Sequence, residues 1–127
     1  MVKHYRELVV WQKAVGLVVE IYRVTAHYGQ DERYGLVSQL RRAAVSIPSN
    51  IAEGQGRATT GEFLQFLGHA RGSLFGVETQ LIISRKLGLL PAEQFDALSA
   101  KVEDVARLLS GLIRSLSKPS EKTGSSV

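Results

Sequence analysis

From Glu7 to His27 the apolar side chains fall into two rows. Leu8, Trp11, Val15, Val18 and Tyr22 form one, and Val10, Ala14, Leu17, Ile21 and Val24 form the other. Spacings of three and four residues place each row on one side of an α-helix. So wide an apolar arc predicts burial against more than one neighbour, with Gly29 as the helix stop. A second helix is predicted from about Asp31 until Gly54 and Gly56 break it, with a kink near Ile47 because Pro48 removes a backbone donor. This helix carries two stripes. Leu36, Leu40, Ala43, Ile47 and Ile51 make an apolar one, and Gln39, Arg42, Ser46, Asn50, Glu53 and Arg57 make a polar one about 90° round. Surface helices scatter their charges over the solvent side, so an ordered polar ribbon predicts a network or an interface.

Thr59, Thr60 and Glu62 have the spacing of a capping box and open a third helix that runs to Leu87, with Gly88 as its stop. Its inner stripe is Phe63, Leu67, Ala70, Leu74, Val77 and Leu81. Pro91 opens a fourth helix whose Phe95, Leu98, Val102, Val105, Leu109, Leu112 and Leu116 alternate three and four apart, as in a heptad seam. Short connections make successive helices antiparallel. The expected fold is therefore all-α, an up-down-up-down four-helix bundle over residues 1–117. Residues 118–127, which include Pro119 and the run SEKTGSSV, have nothing to bury and are expected to be a disordered tail.

Gly68, Gly72 and Gly76 recur every fourth residue on the side of the third helix opposite its apolar stripe. Each helix-interior glycine costs about 1 kcal/mol relative to alanine. A solvent-facing surface does not offset that, whereas a closely packed neighbour does. These three positions are therefore the expected subunit interface. The polar residues Gln39, Arg42, Ser46, Asn50 and Glu53 are expected to form a network or a second contact surface.

Composition narrows the chemistry. Of 127 residues, 44% are hydrophobic and 22% charged, which fits one ordinary globular domain. There is no cysteine, so disulfides, zinc-thiolate sites and cysteine nucleophiles are excluded. No glutamate has a histidine three residues on, so the di-metal pattern of helical bundles is missing and no metal or other cofactor is expected. Glu53 and Glu62 are better used in pairing and capping than in acid–base catalysis. Ser46 has no histidine near it in sequence to activate it, and the Glu53–Gly56 turn lacks the features of a phosphate-binding loop. No enzyme is expected. The N-terminal segment lacks the uninterrupted apolar core of a signal peptide, and no apolar run reaches membrane-spanning length, so the expected setting is cytoplasmic and away from membranes.

The net charge is +4, from 16 basic and 12 acidic side chains spread thinly along the chain. A symmetric assembly multiplies such a modest surplus into a ring of positive potential. Arg41, Arg57, Arg71, Arg85 and Lys86 are the candidate phosphate contacts, Arg41 because it lies outside both stripes and is expected to reach solvent. Tyr5, Tyr28 and Tyr34, near loops, are candidates for stacking on unpaired bases.

The segments ELVVWQKA at 7–14, Tyr34-Gly35-Leu36, Gln39-Leu40-Arg41-Arg42-Ala43-Ala44 and Ser46-Ile47-Pro48-Ser49-Asn50-Ile51-Ala52-Glu53-Gly54 resemble the bacterial 23S rRNA intervening-sequence protein family. Arg57, Glu62-Phe63-Leu64, Gly72-Ser73 and Leu87-Gly88-Leu89-Leu90 continue the resemblance, which spans roughly residues 5–117. It implies a four-helix bundle assembled as a homopentamer with a central channel. It also implies kinship with the accessory variability determinant of diversity-generating retroelements, a basic pentameric barrel that engages a reverse transcriptase and nucleic acid. The expected function is a non-enzymatic, homo-oligomeric helical scaffold that binds structured nucleic acid, RNA before DNA, through a repeated basic surface. The alternative is a protein-interaction adaptor with no affinity for nucleic acid.

Overall fold

A computed structural model of the chain describes residues 4–118, and the expected tail, beyond Lys118, lies outside the described residues. Four α-helices and no strand occur among them: α1 (Val9–Thr25), α2 (Ser38–Gln55), α3 (Thr60–Lys86) and α4 (Ala92–Ser117). Contacts join α1 to α2, α2 to α3, α3 to α4 and α4 back to α1, with the α2–α3 seam the most extensive. The result is a helical bundle around one core, in which Leu17, Ile21, Leu40, Ile47, Ile51, Leu67, Leu74 and Leu109 are almost completely buried. Burying each such side chain contributes about 1.5–3 kcal/mol.

The apolar stripes of α3 and α4 sit as expected. Leu67, Ala70, Leu74, Val77 and Leu81 are buried with Phe63 at the edge, and Leu98, Val102, Val105 and Leu109 are buried on α4. The wide arc of α1 is covered unevenly. Val10, Ala14, Leu17, Ile21 and Val24 are buried, whereas the row ending at Tyr22 stays partly open and Tyr22 itself is 41% exposed. Lys13 Nζ reaches Asp104 Oδ2 of α4 at 3.7 Å, a surface pair of small energetic weight.

The helix ends combine expected and unexpected devices. Thr59 Oγ1 accepts from the Glu62 N–H at 3.1 Å, so it caps α3. The Glu62 carboxylate accepts from the Thr59 hydroxyl at 3.1 Å instead of returning to a backbone amide. At the other end Gly88 has φ +78°, Leu89 N–H donates to Ser84 O at 2.9 Å and Gly88 N–H to Arg85 O at 3.1 Å. That pair of hydrogen bonds is a Schellman stop, which needs a residue free to enter the left-handed region. Gly29 is not a stop of this kind: α1 ends at Thr25, and Gly88 is the one glycine with positive φ among the described residues.

Two expectations for α2 are corrected. The helix does not start as an α-helix near Asp31. A 3₁₀ turn at Gln30–Glu32 and a π-helical turn at Arg33–Val37 precede it. Nor does Gly54 break it, because α2 continues to Gln55 and Gly54 is buried within it. A Cβ at Gly54 would lie 2.7 Å from Phe66 Cβ and 2.9 Å from Phe63 Cδ1. Gly54 is there so that α2 and α3 can approach closely, which is the second use of glycine besides chain reversal.

Candidate nucleic-acid interface

The polar stripe of α2 separates into three parts. Its middle forms a network in the α2–α3 seam. Asn50 Nδ2 donates to Ser46 O at 2.8 Å and to Ser46 Oγ at 2.9 Å, and Ser46 Oγ is 2.8 Å from Ser73 Oγ of α3. These half-buried groups satisfy one another, as a polar seam between two helices requires. Toward its C-terminal end Arg57 Nη2 pairs with Glu53 Oε2 at 3.5 Å on the surface, and the guanidinium lies 4.7 Å from the Phe66 ring centre. Gln39 and Arg42, nearer the N-terminus, are exposed and belong to neither contact.

The candidate cations occupy different surroundings. Arg41 does not reach freely into solvent. It is half-buried, with Nε donating to Thr25 Oγ1 at 2.9 Å and Nη2 to Tyr22 O at 3.2 Å, and its guanidinium is 4.5 Å from the Tyr22 ring centre. A cation there meets the negative end of the α1 dipole and adds a second donor to the Tyr22 carbonyl, which already accepts from the Ala26 N–H at 3.1 Å. Arg42, its neighbour, is the exposed one and has no ion pair or hydrogen bond among the described residues. Arg71 is exposed, 5.5 Å from the Phe75 ring centre. Arg85 Nη1 donates weakly to Leu90 O at 3.4 Å, and Lys86 projects from the last turn of α3 without an ion pair among the described residues. Arg71 and Arg85 stand about 21 Å apart along the axis of α3 at 1.5 Å per residue. These cations are therefore strung over the bundle and do not converge.

The tyrosines also differ from one another. Tyr34, carried on the π turn, is 91% exposed. Tyr5 is half-buried against Trp11, edge-on with ring centres 5.2 Å apart. Tyr28 is not available for stacking: it is buried, and its hydroxyl has no hydrogen bond. Burial raises its pKa above the usual tyrosine value of 10.0, and the nearby Ser84 hydroxyl offsets part of that rise. Ser84 Oγ gives its own proton to Gln80 O at 2.8 Å, and no bond of acceptable geometry joins it to Tyr28.

Gly68, Gly72 and Gly76 lie on an uncovered face of α3. A Cβ at any of them would meet nothing within 4 Å in this chain. Phe75, Ile83 and Leu87 on the same outer side are 50%, 41% and 62% exposed. His69, the histidine of α3, packs edge-on to Phe66 with ring centres 6.0 Å apart. No group of three or more Asp, Glu or His side chains among the described residues is placed to hold a metal ion, and no helix among them is long and apolar enough to cross a membrane.

The sequence pattern did not reveal a groove of about 490 Å³ between α1 and α2. Tyr22, Tyr34, Val37, Ser38, Arg41, Arg42 and Val45 line it. Its one sequence signal was Tyr34 near a loop, while Arg42 looked like part of the ribbon.

Four long helices packed in a closed ring, with a polar α2–α3 seam and no convergent catalytic group among the described residues, define a small helical-bundle protein. The chain belongs to the 23S rRNA-intervening sequence protein family, whose sequence model matches residues 6–111. Its fold is similar to that of a protein of unknown function from the S23 ribosomal protein family of Bacteroides thetaiotaomicron VPI-5482. That crystal structure superposes with a TM-score of 0.77 at 20% identity, over 84% of this chain and 96% of the other. No curated protein matches the chain.

Proposed function

We propose that this protein is a non-enzymatic, homo-oligomeric scaffold that binds structured nucleic acid, RNA in the first place, through a basic surface repeated by symmetry. The short connections at 56–59 and 87–91 favour an antiparallel, up-down-up-down course for α2 to α4. The observation that carries the reading is the dispersal of the exposed cations Arg42, Arg57, Arg71, Arg85 and Lys86. One copy presents too few of them at any point to hold a phosphate backbone, and a ring of copies, pentameric in our reading, presents many. Gly68, Gly72 and Gly76 support the assembly half of the proposal, because they leave α3 open to close approach by another copy. Such contacts bind phosphates with little sequence readout.

A second reading is favoured by the apolar side chains Phe75, Ile83 and Leu87 on that same outer face of α3. In it the protein is an adaptor that docks another protein and has no affinity for nucleic acid. Native mass spectrometry of gently purified protein, without nuclease or high salt, separates the two. An oligomer carrying extra mass that ribonuclease removes, with affinity falling steeply as salt rises, is the expected result. An oligomer free of nucleic acid moves the weight to the adaptor. A bare monomer removes the assembly and the multiplied charge together.

A further inference from the structure

We propose that the groove between the C-terminal half of α1 and the start of α2 is a subsite for an unpaired nucleotide, whose base stacks on Tyr34 and whose phosphate meets Arg42. This rests on the nucleic-acid reading above and assigns to it a place that the dispersed cations do not define. Three observations on the groove agree. Its wall contains two tyrosines and two arginines and no acidic residue, a lining complementary to an aromatic ring carrying negative charge. The two arginines have separate tasks. Arg41 is fixed by Thr25 and the Tyr22 carbonyl and covers the Tyr22 ring, so it builds the wall. Arg42 is exposed and unpaired among the described residues, so its donors are available. Finally, the backbone at Arg33–Val37 makes a π-helical turn and presents Tyr34 with 91% of its surface in solvent. A π turn is a rare departure from α-geometry that is common at functional sites. A large aromatic held almost wholly in water gains nothing within the chain, whereas a base has a face to offer it.

Duplex RNA offers no free base faces along its length, so the subsite is for a loop, bulge or end of a structured RNA. The test uses full-length protein, a labelled RNA hairpin with a long oligouridine loop, and the same stem as a blunt duplex. Tyr34→Ala is expected to weaken binding of the looped hairpin about 5- to 150-fold, the value of one stacked base, and to leave the blunt duplex unaffected. Tyr34→Phe, which keeps the ring, is expected to bind like wild type. Arg42→Ala should weaken both probes and lower the salt slope by about one phosphate contact. Tyr34 is too exposed for its replacement to unfold the bundle, and circular dichroism checks that. Wild-type binding with Tyr34→Ala unchanged on the looped hairpin overturns the subsite and leaves the scaffold reading standing. Wild type that binds neither probe overturns both. A drop in native mass for Tyr34→Ala makes the groove a contact between copies of this chain, which also overturns the subsite.

Discussion

Gly54 and the trio Gly68, Gly72 and Gly76 are all glycines inside helices, but they sit in opposite surroundings. At Gly54 a methyl group would collide with Phe63 and Phe66 across the α2–α3 seam. At the trio it would touch nothing in this chain. The first glycine is offset by the packing it permits, since two helices carrying side chains at the contact cannot approach as closely. The other three together cost about 3 kcal/mol of helix propensity, and nothing within the described chain returns that amount. A glycine in a helix is thus informative only once its neighbours are known. Gly54 reports a fold contact, and the outer trio leaves α3 open to close approach from outside the chain.

The largest effect is expected at Gly54. Gly54→Leu puts four carbon atoms where Phe66 Cβ stands 2.7 Å from the first of them, with Phe63 Cδ1 at 2.9 Å. Overpacking of this kind costs about 3 kcal/mol or more, a fall in Tm of about 10 °C or more for a domain of this size. A melting curve that matches wild type would show that α2 and α3 do not meet at this point in solution. Replacing Gly68, Gly72 and Gly76 together by alanine sharpens the other side of the comparison. In the isolated chain the three methyls are free of contacts and raise helix propensity, so stability at high dilution should rise by up to about 3 kcal/mol. At high concentration the same methyls should hold two copies apart and lower the native mass. Stabilisation with the oligomer intact would place the subunit contact on another face.

Most of the fold was legible because it rests on periodicity. The stripes of α3 and α4 are long, regular and buried on one side only, and both are in the core as their spacing predicts. The start of α2 was not legible. The stretch from Gln30 to Val37 passes through 3₁₀ and π geometry before settling at Ser38, and no pattern of apolar residues distinguishes those helices from an α-helix. Gly54 was misread for a related reason: its role depends on Phe63 and Phe66, which follow it across a turn. The site was less legible than the fold. Arg41 and Arg42 are adjacent, and one residue of helix, about 100°, decides that Arg41 turns to the end of α1 and Arg42 to solvent. Helical periodicity separates a stripe from its neighbour, but it does not show where the next helix ends or which carbonyl that end presents to a guanidinium. Ser73 likewise joins Ser46 because two helices meet, a fact held in neither helix alone.

Tyr28 carries the smallest effect, and its sign is set by chemistry. The hydroxyl is buried without a hydrogen bond, so it gave up water without gaining a partner. Tyr28→Phe removes that oxygen and keeps the ring that packs into the core, and at neutral pH stability should hold level or rise slightly. Above neutral pH the two proteins diverge. Desolvation disfavours the phenolate, so the folded-state pKa lies above the unfolded value of about 10. A group with a raised folded pKa holds its proton more tightly in the native state. Its contribution is therefore fully present below the unfolded pKa and is lost as pH rises through the folded one. Wild type should lose stability as pH climbs beyond about 10 by an amount that Tyr28→Phe does not lose, superimposed on whatever slope the other tyrosines and lysines give to both. Parallel stability curves for the two proteins across that range would mean that the Tyr28 hydroxyl reaches water, and that the segment after α1 is more open in solution than the burial of that hydroxyl implies.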